Sequence, residues 1–311
     1  MLSNRDRLRR ALWLARLAEV LGVRRWLADG GGPAWLPAWV RPMAALLPAE
    51  APAVAPLRSW VPPRGAGRGT ASLFAGCVNE AVLPQINRAT VRVLSAGGYG
   101  VRCPERQVCC GAIHEHAGDL ETARALARRN IDALSGDDAV LVNVAGCGAM
   151  LKRYPALLAD DRAYASPAAR FAARVVDVSE FWARRLSAER LTPQAQTVAY
   201  HDACHLAHAQ GIRRPPREML TAIPGLKLVE LPESEMCCGA AGTYNLRHAQ
   251  TAGELARRKI ANVRECGATC VAAGNAGCLL HLSAAARAAG DATVRFVHPI
   301  ELVAAALPGD R

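Results

Sequence analysis

From residue 71 onward, short apolar runs alternate with stretches whose apolar positions recur every three to four residues, the signature of strands joined by helices. Residues 71–75, 100–103 and 139–144 read as strands, with helices over 84–97 and 119–134. Strands at 197–201, 226–231 and 269–273 follow, with helices near 216–222 and 250–266. The class implied is α/β, built from βαβ units with parallel sheets. The chain before residue 71 is different. Residues 1–28, with Leu8, Leu12, Leu17 and Leu21 set among arginines, read as an amphipathic helix. Residues 29–70 open on Gly30-Gly31-Gly32-Pro33, hold Pro37, Pro42, Pro48, Pro52, Pro56, Pro62 and Pro63, and read as a linker or irregular wrapping segment. Trp13, Trp26, Trp35, Trp39 and Trp60 lie in this region, and aromatic rings seek a surface to cover. Packing onto the chain's own body is the plain expectation, docking onto a partner or membrane the sharper one.

The second half of the chain repeats the first. Cys77, Cys109-Cys110-Gly111 and Cys147 are followed, at a nearly constant offset, by Cys204, Cys237-Cys238-Gly239 and Cys278. The text between repeats too: Leu126-Ala127-Arg128-Arg129-Asn130-Ile131 matches Leu255-Ala256-Arg257-Arg258-Lys259-Ile260, and Ala145-Gly146-Cys147 matches Ala276-Gly277-Cys278. A duplicated unit divides the chain into an N-terminal helix and linker (1–70), a first cysteine-rich domain (71–190) and a second (191–311). In this reading the cysteines follow strands or precede helices, where open α/β sheets place their ligand sites.

The stretches at 12–27 and 271–282 are too charged or too short to span a bilayer, and no clean apolar run with a small-residue cleavage site follows the charged start. A cytoplasmic, reducing compartment is therefore expected. There, 11 cysteines point to metal or redox chemistry and away from disulfides. The net charge of +11 rests on arginine, with lysine at Lys152, Lys227 and Lys259 alone. No nucleic-acid motif or basic–aromatic interleaving accompanies it, so no nucleic-acid partner is expected.

Each repeat offers four thiols from three separate segments. Thiolates are the soft donors that iron–sulfur clusters and zinc select. An adjacent Cys-Cys pair is poor for an internal disulfide, yet both sulfurs can grip one cluster, and the following glycine allows a tight turn. Structural zinc stays open as an alternative, although its usual Cys-x₂₋₄-Cys pairs do not occur in these sets. Cys103, Cys266 and Cys270 have no counterpart in the other repeat and are expected to be core residues. His114 and His116 follow the first Cys-Cys-Gly, and His201, His205 and His208 surround Cys204, which places imidazoles near both sites for hydrogen bonding or for local caps. No Gly-x-Gly-x-x-Gly nucleotide fingerprint follows a strand.

This cysteine pattern resembles the CCG cysteine-rich domain of heterodisulfide reductase subunits. It is more closely similar to the glycolate oxidase iron–sulfur subunit family, through Gly76-Cys77-Val78, Asn87-Arg88-Ala89-Thr90, Ala127-Arg128-Arg129-Asn130-Ile131-Asp132, Gly146-Cys147-Gly148-Ala149-Met150, His201-Asp202-Ala203-Cys204-His205, Gln210-Gly211-Ile212 and His298-Pro299. The resemblance implies two tandem CCG domains holding iron–sulfur clusters, two [4Fe–4S] centres in all, with Cys77, Cys109, Cys110, Cys147, Cys204, Cys237, Cys238 and Cys278 as ligands. It implies an oxidoreductase subunit that takes electrons from FAD-containing glycolate oxidase subunits and passes them toward quinone, with peripheral association on the inner face of the cell membrane.

Two departures modify that expectation. The last cysteine of the family's Cys-x-x-Cys is Met150 in the first repeat and His281 in the second. Four thiols per site suit an ordinary [4Fe–4S] centre better than the disulfide-cleaving centres of the heterodisulfide reductase branch, which leaves thiol reduction as the alternative activity. His281 becomes a candidate fifth contact, while Met150 is expected to pack. Second, the family's two ferredoxin-type Cys-x₂-Cys-x₂-Cys-x₃-Cys-Pro runs have no equivalent before Cys77; two expectations stay open, a misassigned or truncated gene start, or a separate ferredoxin-like chain that supplies those clusters.

Overall fold

The computed structural model describes residues 40–48, 54–185, 191–291 and 293–308. The helix expected over 1–28 lies outside them, as do Trp13, Trp26, Trp35 and Trp39. Helix α1 (Val40–Leu46) comes first. The first repeat then forms a five-stranded sheet from β1 (Trp60–Val61), β2 (Gly69–Phe74), β3 (Tyr99–Arg102), β4 (Ala139–Val142) and β5 (Val175–Asp177), in the order β1-β3-β2-β4-β5. Its helices are α2 (Cys77–Val82), α3 (Pro84–Ala96), α4 (Ala112–His116), α5 (Leu120–Ala133), α6 (Ala145–Lys152), α7 (Tyr154–Leu157), α8 (Ala165–Ala173) and α9 (Val178–Arg185). The second repeat forms a four-stranded sheet, β7-β6-β8-β9, from β6 (Gln196–His201), β7 (Leu226–Val229), β8 (Cys270–Ala273) and β9 (Arg295–Val297). Around it run α10 (Cys204–Ala207), α11 (Arg214–Thr221), α12 (Tyr244–Arg247), α13 (Ala249–Glu265), α14 (Ala276–Ala288) and α15 (Pro299–Ala306).

The expected α/β class with parallel sheets is what forms. β2 lies parallel to β3 and β4, and β6 parallel to β7 and β8, in matching registers: Phe74 pairs with Val142 and His201 with Ala273. The helical period explains the long helices, since α5 buries Ala123, Leu126, Ala127, Asn130 and Ile131 along one stripe and is capped where Asp119 accepts from the Thr122 amide at 3.2 Å.

The segment read as a linker is more ordered than expected. It supplies α1 and an antiparallel edge strand, β1, beside β3. The cause is Trp60, whose ring covers Gly100: a β-carbon there would stand 2.3 Å from the indole. Its neighbours are tied down by backbone bonds from the Cys103 amide to Ser59 and from the Arg68 amide to Gly98, both 2.8 Å. This tryptophan therefore packs on the chain's own sheet. β5 and β9 had no sequence signal, being three residues each.

The two repeats share a core. α15 packs on α3, α9 on α11 and α6 on α10, and one apolar cluster runs from Leu83, Ile86 and Val93 through Trp182 to Met219, Ile300 and Val303. The loops leaving β4 and β8 also meet, with the Ala145 amide donating to the Gly274 carbonyl at 2.9 Å. No helix among the described residues is long and apolar enough to cross a membrane.

His298 fixes α15 in this shared core. Its Nδ1 accepts from the Ile300 amide at 3.1 Å, while Glu301 accepts from the His298 amide at 2.8 Å, which closes a capping box. Burial pushes the imidazole down to about 3, against the opposing pull of a hydrogen bond to the Asn143 backbone. A histidine depressed below its unfolded value near 6.5 contributes stability that is complete above that value and is lost as pH falls from there toward 3. Urea unfolding should therefore show stability falling by up to about 1.4 kcal/mol per pH unit below pH 6.5 from this group. His298→Asn, which keeps a capping side chain without a titrating ring, should flatten that acid limb; an unchanged slope would exclude the assignment.

Candidate metal centres

Each thiol set is assembled from the carboxyl ends of the strands. In the first repeat the chain leaves β2 through Ala75 and Gly76, whose φ of 67° suits glycine, and reaches Cys77 at the start of α2. Side-chain amides substitute for missing strand partners here. Gln107 accepts from the Ala75 amide at 2.8 Å and donates to the Leu73 carbonyl at 3.1 Å, and Asn87 donates to the Ala75 carbonyl at 2.9 Å. Asn87 is held in turn by the buried Asn143, which donates to its Oδ1 and to the Thr90 hydroxyl, both at 2.9 Å, and accepts from Asn79 at 2.9 Å. Breaking one partner of such a buried network typically costs about 1–3 kcal/mol.

The Cys-Cys corner is gripped by its carbonyls. Asn130 donates to the Cys109 carbonyl at 3.0 Å and accepts from the Val108 amide at 2.8 Å, and the buried Tyr154 hydroxyl donates to the Cys110 carbonyl at 2.9 Å. Gly111 turns the chain away with φ 93° into α4. Cys147 rides on the first turn of α6, its sulfur 3.9 Å from where a β-carbon on Gly76 would lie.

The second set repeats the plan with different side chains. Arg217 holds the buried Asp202 by two bonds of 2.8 and 2.7 Å ahead of Cys204. Gly239 follows Cys237-Cys238 with φ 93°, and a β-carbon there would press to 2.8 Å on the Ala252 carbonyl. At the position of Asn130 stands Lys259, whose ammonium donates to the Glu233 carbonyl and lies 3.5 Å from that of Ser234.

The sulfurs converge. In the first repeat, bonds from the Cys110 and Cys77 thiols hold Cys109 as a thiolate, down to about 3, and the same bonds push both donors up. Cys110 also meets Cys147. In the second repeat, Cys204 and Cys238 donate to Cys237, which is lowered to about 2, and both donors are raised by that bond. Cys238 also donates to Cys278 across 3.1 Å, lowering it. Each repeat thus brings its four expected cysteines close enough to influence one another electrostatically. This donor set fits a polycation: protons occupy it because neighbouring thiolates repel, and a bound metal displaces them. Cys103 and Cys270 are buried away from both sets, as expected of core thiols, and Cys266 donates to the Val263 carbonyl at 3.3 Å.

The flanking residues distribute less evenly. Met150 is buried among the first set's packing. His281 spends its Nε2 on the Ala252 carbonyl at 3.2 Å and lines a groove with Ala45, Leu46 and Arg257, so it is not brought to the sulfurs. The imidazole that is brought there is His201, buried at the end of β6, with a ring nitrogen within 4.8 Å of the sulfurs of Cys238 and Cys278. His114 pairs locally with Asp119 at 3.0 Å, and His208 with Arg213 at 3.3 Å. His205 touches the Cys204 sulfur through Nδ1 at 3.4 Å and faces the His116 ring at 5.8 Å.

The two sets are joined by a residue that no motif singles out. Asn275 accepts from the Gly146 amide, next to Cys147, at 3.2 Å and donates to the Cys278 sulfur at 3.5 Å. Gln210 closes the same seam, donating to the Ala145 and His205 carbonyls at 2.9 and 3.2 Å. Asn275 replaces Val144 of the first repeat, and that exchange is the one trace it leaves in the sequence.

The sequence matches the CCG cysteine-rich domain over residues 71–152 and again over 198–283, the two copies that carry these sets. It is 31% identical to the probable glycolate oxidase iron–sulfur subunit of Bacillus subtilis, over 97% of this chain and 70% of that protein. Lactate utilization protein A of Oceanobacillus iheyensis is 30% identical over 75% of this chain and 95% of its own. A fumarate reductase (CoM/CoB) subunit from Methanothermobacter marburgensis is 33% identical over 76% of this chain, and the match spans 46% of that protein. The family read from the cysteine repeat is borne out: this chain belongs to the CCG cysteine-rich domain family, with glycolate oxidase iron–sulfur subunits among its relatives.

Proposed function

We propose that this chain is the iron–sulfur electron-transfer subunit of a 2-hydroxy-acid oxidoreductase, taking electrons from an FAD-containing partner that oxidises glycolate or lactate and passing them toward quinone. The observation that carries the reading is the pairing of two four-thiol sets through Asn275, a hydrogen-bonded contact between the backbone beside one set and a sulfur of the other. The names of two relatives, a glycolate oxidase iron–sulfur subunit and a lactate utilization protein, support the substrate class.

Cys77, Cys109, Cys110 and Cys147 would hold one [4Fe–4S] cluster and Cys204, Cys237, Cys238 and Cys278 another. Such a cluster supplies a one-electron store. The chain's own residues orient the thiols, bury most of them and set the charge around them. Asn275 donates to a sulfur, which favours the electron-rich state of that site. Substrate oxidation belongs on the flavin partner, and a ferredoxin-like chain would complete the electron path.

Iron, sulfide and zinc analysis of anaerobically purified protein tests the assignment. About eight irons per chain with equal sulfide are expected, and Cys110→Ser and Cys238→Ser should each remove about half while leaving the other repeat's centre intact. Zinc without sulfide would turn the reading to a structural metal module, and disulfide turnover by the isolated chain would turn it to a thiol reductase. Asn275→Val, which copies Val144, should lower the potential of the second centre by about 40 mV, the one-electron equivalent of a hydrogen bond of about 1 kcal/mol. An electron paramagnetic resonance redox titration reads that shift; equal potentials in variant and wild type would remove Asn275 from the relay.

A further inference from the structure

We propose that His201 is a ligand of the second centre, so that the two centres of one chain are chemically unequal: thiolates alone in the first, thiolates and an imidazole in the second. The inference deepens the iron–sulfur reading above and rests on it.

Three observations meet at this side chain. His201 is 1% exposed, at the carboxyl end of β6 three residues before Cys204. Its Nδ1 lies 3.1 Å from the Ser234 carbonyl, an acceptor, so this nitrogen carries the proton and Nε2 carries the lone pair. That Nε2 is buried with no hydrogen-bond partner. A buried imidazole nitrogen left bare is rare in a settled core, and a bond from the other ring nitrogen to a carbonyl is the support that metal-ligating histidines usually have. The atoms it faces are the right ones: ligand atoms of His201, Cys238 and Cys278 all lie within 4.8 Å of one another, every one buried.

The first repeat supplies the internal control. Counting back three residues from Cys77 reaches Phe74, fully buried in the same apolar cluster as Cys77, Cys109 and Cys110. The same pocket is thus closed by a hydrocarbon ring in one copy and by a nitrogen donor in the other. Four irons take four terminal ligands, so His201 would bind in place of one of the set's four thiolates; neutral imidazole there leaves less negative charge on the cluster and raises its potential, so the second centre becomes the better electron acceptor of the two. His281, although nearer to Cys278 in sequence, makes no such approach, because its Nε2 is already bonded to Ala252.

The test is pulsed electron paramagnetic resonance of the reduced full-length protein, prepared with natural and with ¹⁵N-labelled histidine. A directly bound imidazole gives one strong ¹⁴N coupling on one of the two centres, and this converts to the ¹⁵N pattern on labelling. In His201→Phe, which reproduces Phe74, the coupling should vanish and the second centre should titrate at a lower potential, with the first centre unchanged. Iron-loaded wild-type protein showing weak, label-insensitive nitrogen couplings would overturn the inference while leaving the electron-transfer reading intact. Protein without iron would overturn both, so the iron content separates the two failures. Should His201→Phe not fold, the labelled wild-type spectrum decides alone.

Discussion

Four thiols gathered in a largely buried site set the terms for everything around them. Two thiolates 3.1 Å apart, the separation of Cys238 and Cys278, repel by about 5 kcal/mol even at an effective dielectric of about 20. A hydrogen bond recovers only about 1 kcal/mol of that. The sulfurs therefore alternate between donor and acceptor: Cys109 and Cys237 ionised, their neighbours protonated. Apolar packing alone does not favour such a cluster over separated thiols. A bound polycation does, because it converts mutual repulsion into shared attraction and displaces the protons.

That constraint explains the care spent on backbone. Sulfurs that repel will part unless the loops carrying them cannot move, and these loops are fastened by side chains that satisfy carbonyls and amides the sheets leave open. Gln107, Asn87 and Asn143 hold the exit of β2, and Asn130 with Tyr154 holds the Cys-Cys corner. In the second repeat a lysine ammonium and an Arg217–Asp202 pair do the same work with charge. The glycines after each Cys-Cys pair are part of the fastening. Gly239 meets the Ala252 carbonyl so closely that no side chain fits, which lets α13 lie directly against the turn.

Much of this was legible in the residues alone, for a physical reason. A duplicated four-thiol pattern is a coordination requirement written directly in residue type, and long amphipathic helices such as α5 and α13 announce themselves by period. What escaped was whatever depends on a single contact. Trp60 made β1 by covering Gly100, a pairing that no run of residues encodes. Asn275 and Tyr154 are ordinary residue types until the fold brings a sulfur and a carbonyl to them. The surroundings of the histidines escaped for a related reason. Spacing put His281 one helical turn after Cys278, but α14 turns its ring nitrogen to the Ala252 carbonyl, whereas the end of β6 directs His201 at the thiols.

Among the residues at which the repeats differ, several lie beside the thiols. Phe74 becomes His201, Val144 becomes Asn275, Asn130 becomes Lys259, while the eight cysteines and the two Cys-Cys-Gly corners stay. Two identical centres would share an electron evenly, and a relay built from them would have no direction. A one-electron difference of about 59 mV already biases the exchange tenfold. An N–H donor on the Cys278 sulfur, a nitrogen donor at the sulfurs' edge and a nearby ammonium each favour the extra electron, and all three lie on the second set. Duplication supplied two thiol sets joined at one seam, and these polar substitutions all fall beside the second of them, the side on which the proposed relay would hold its electron.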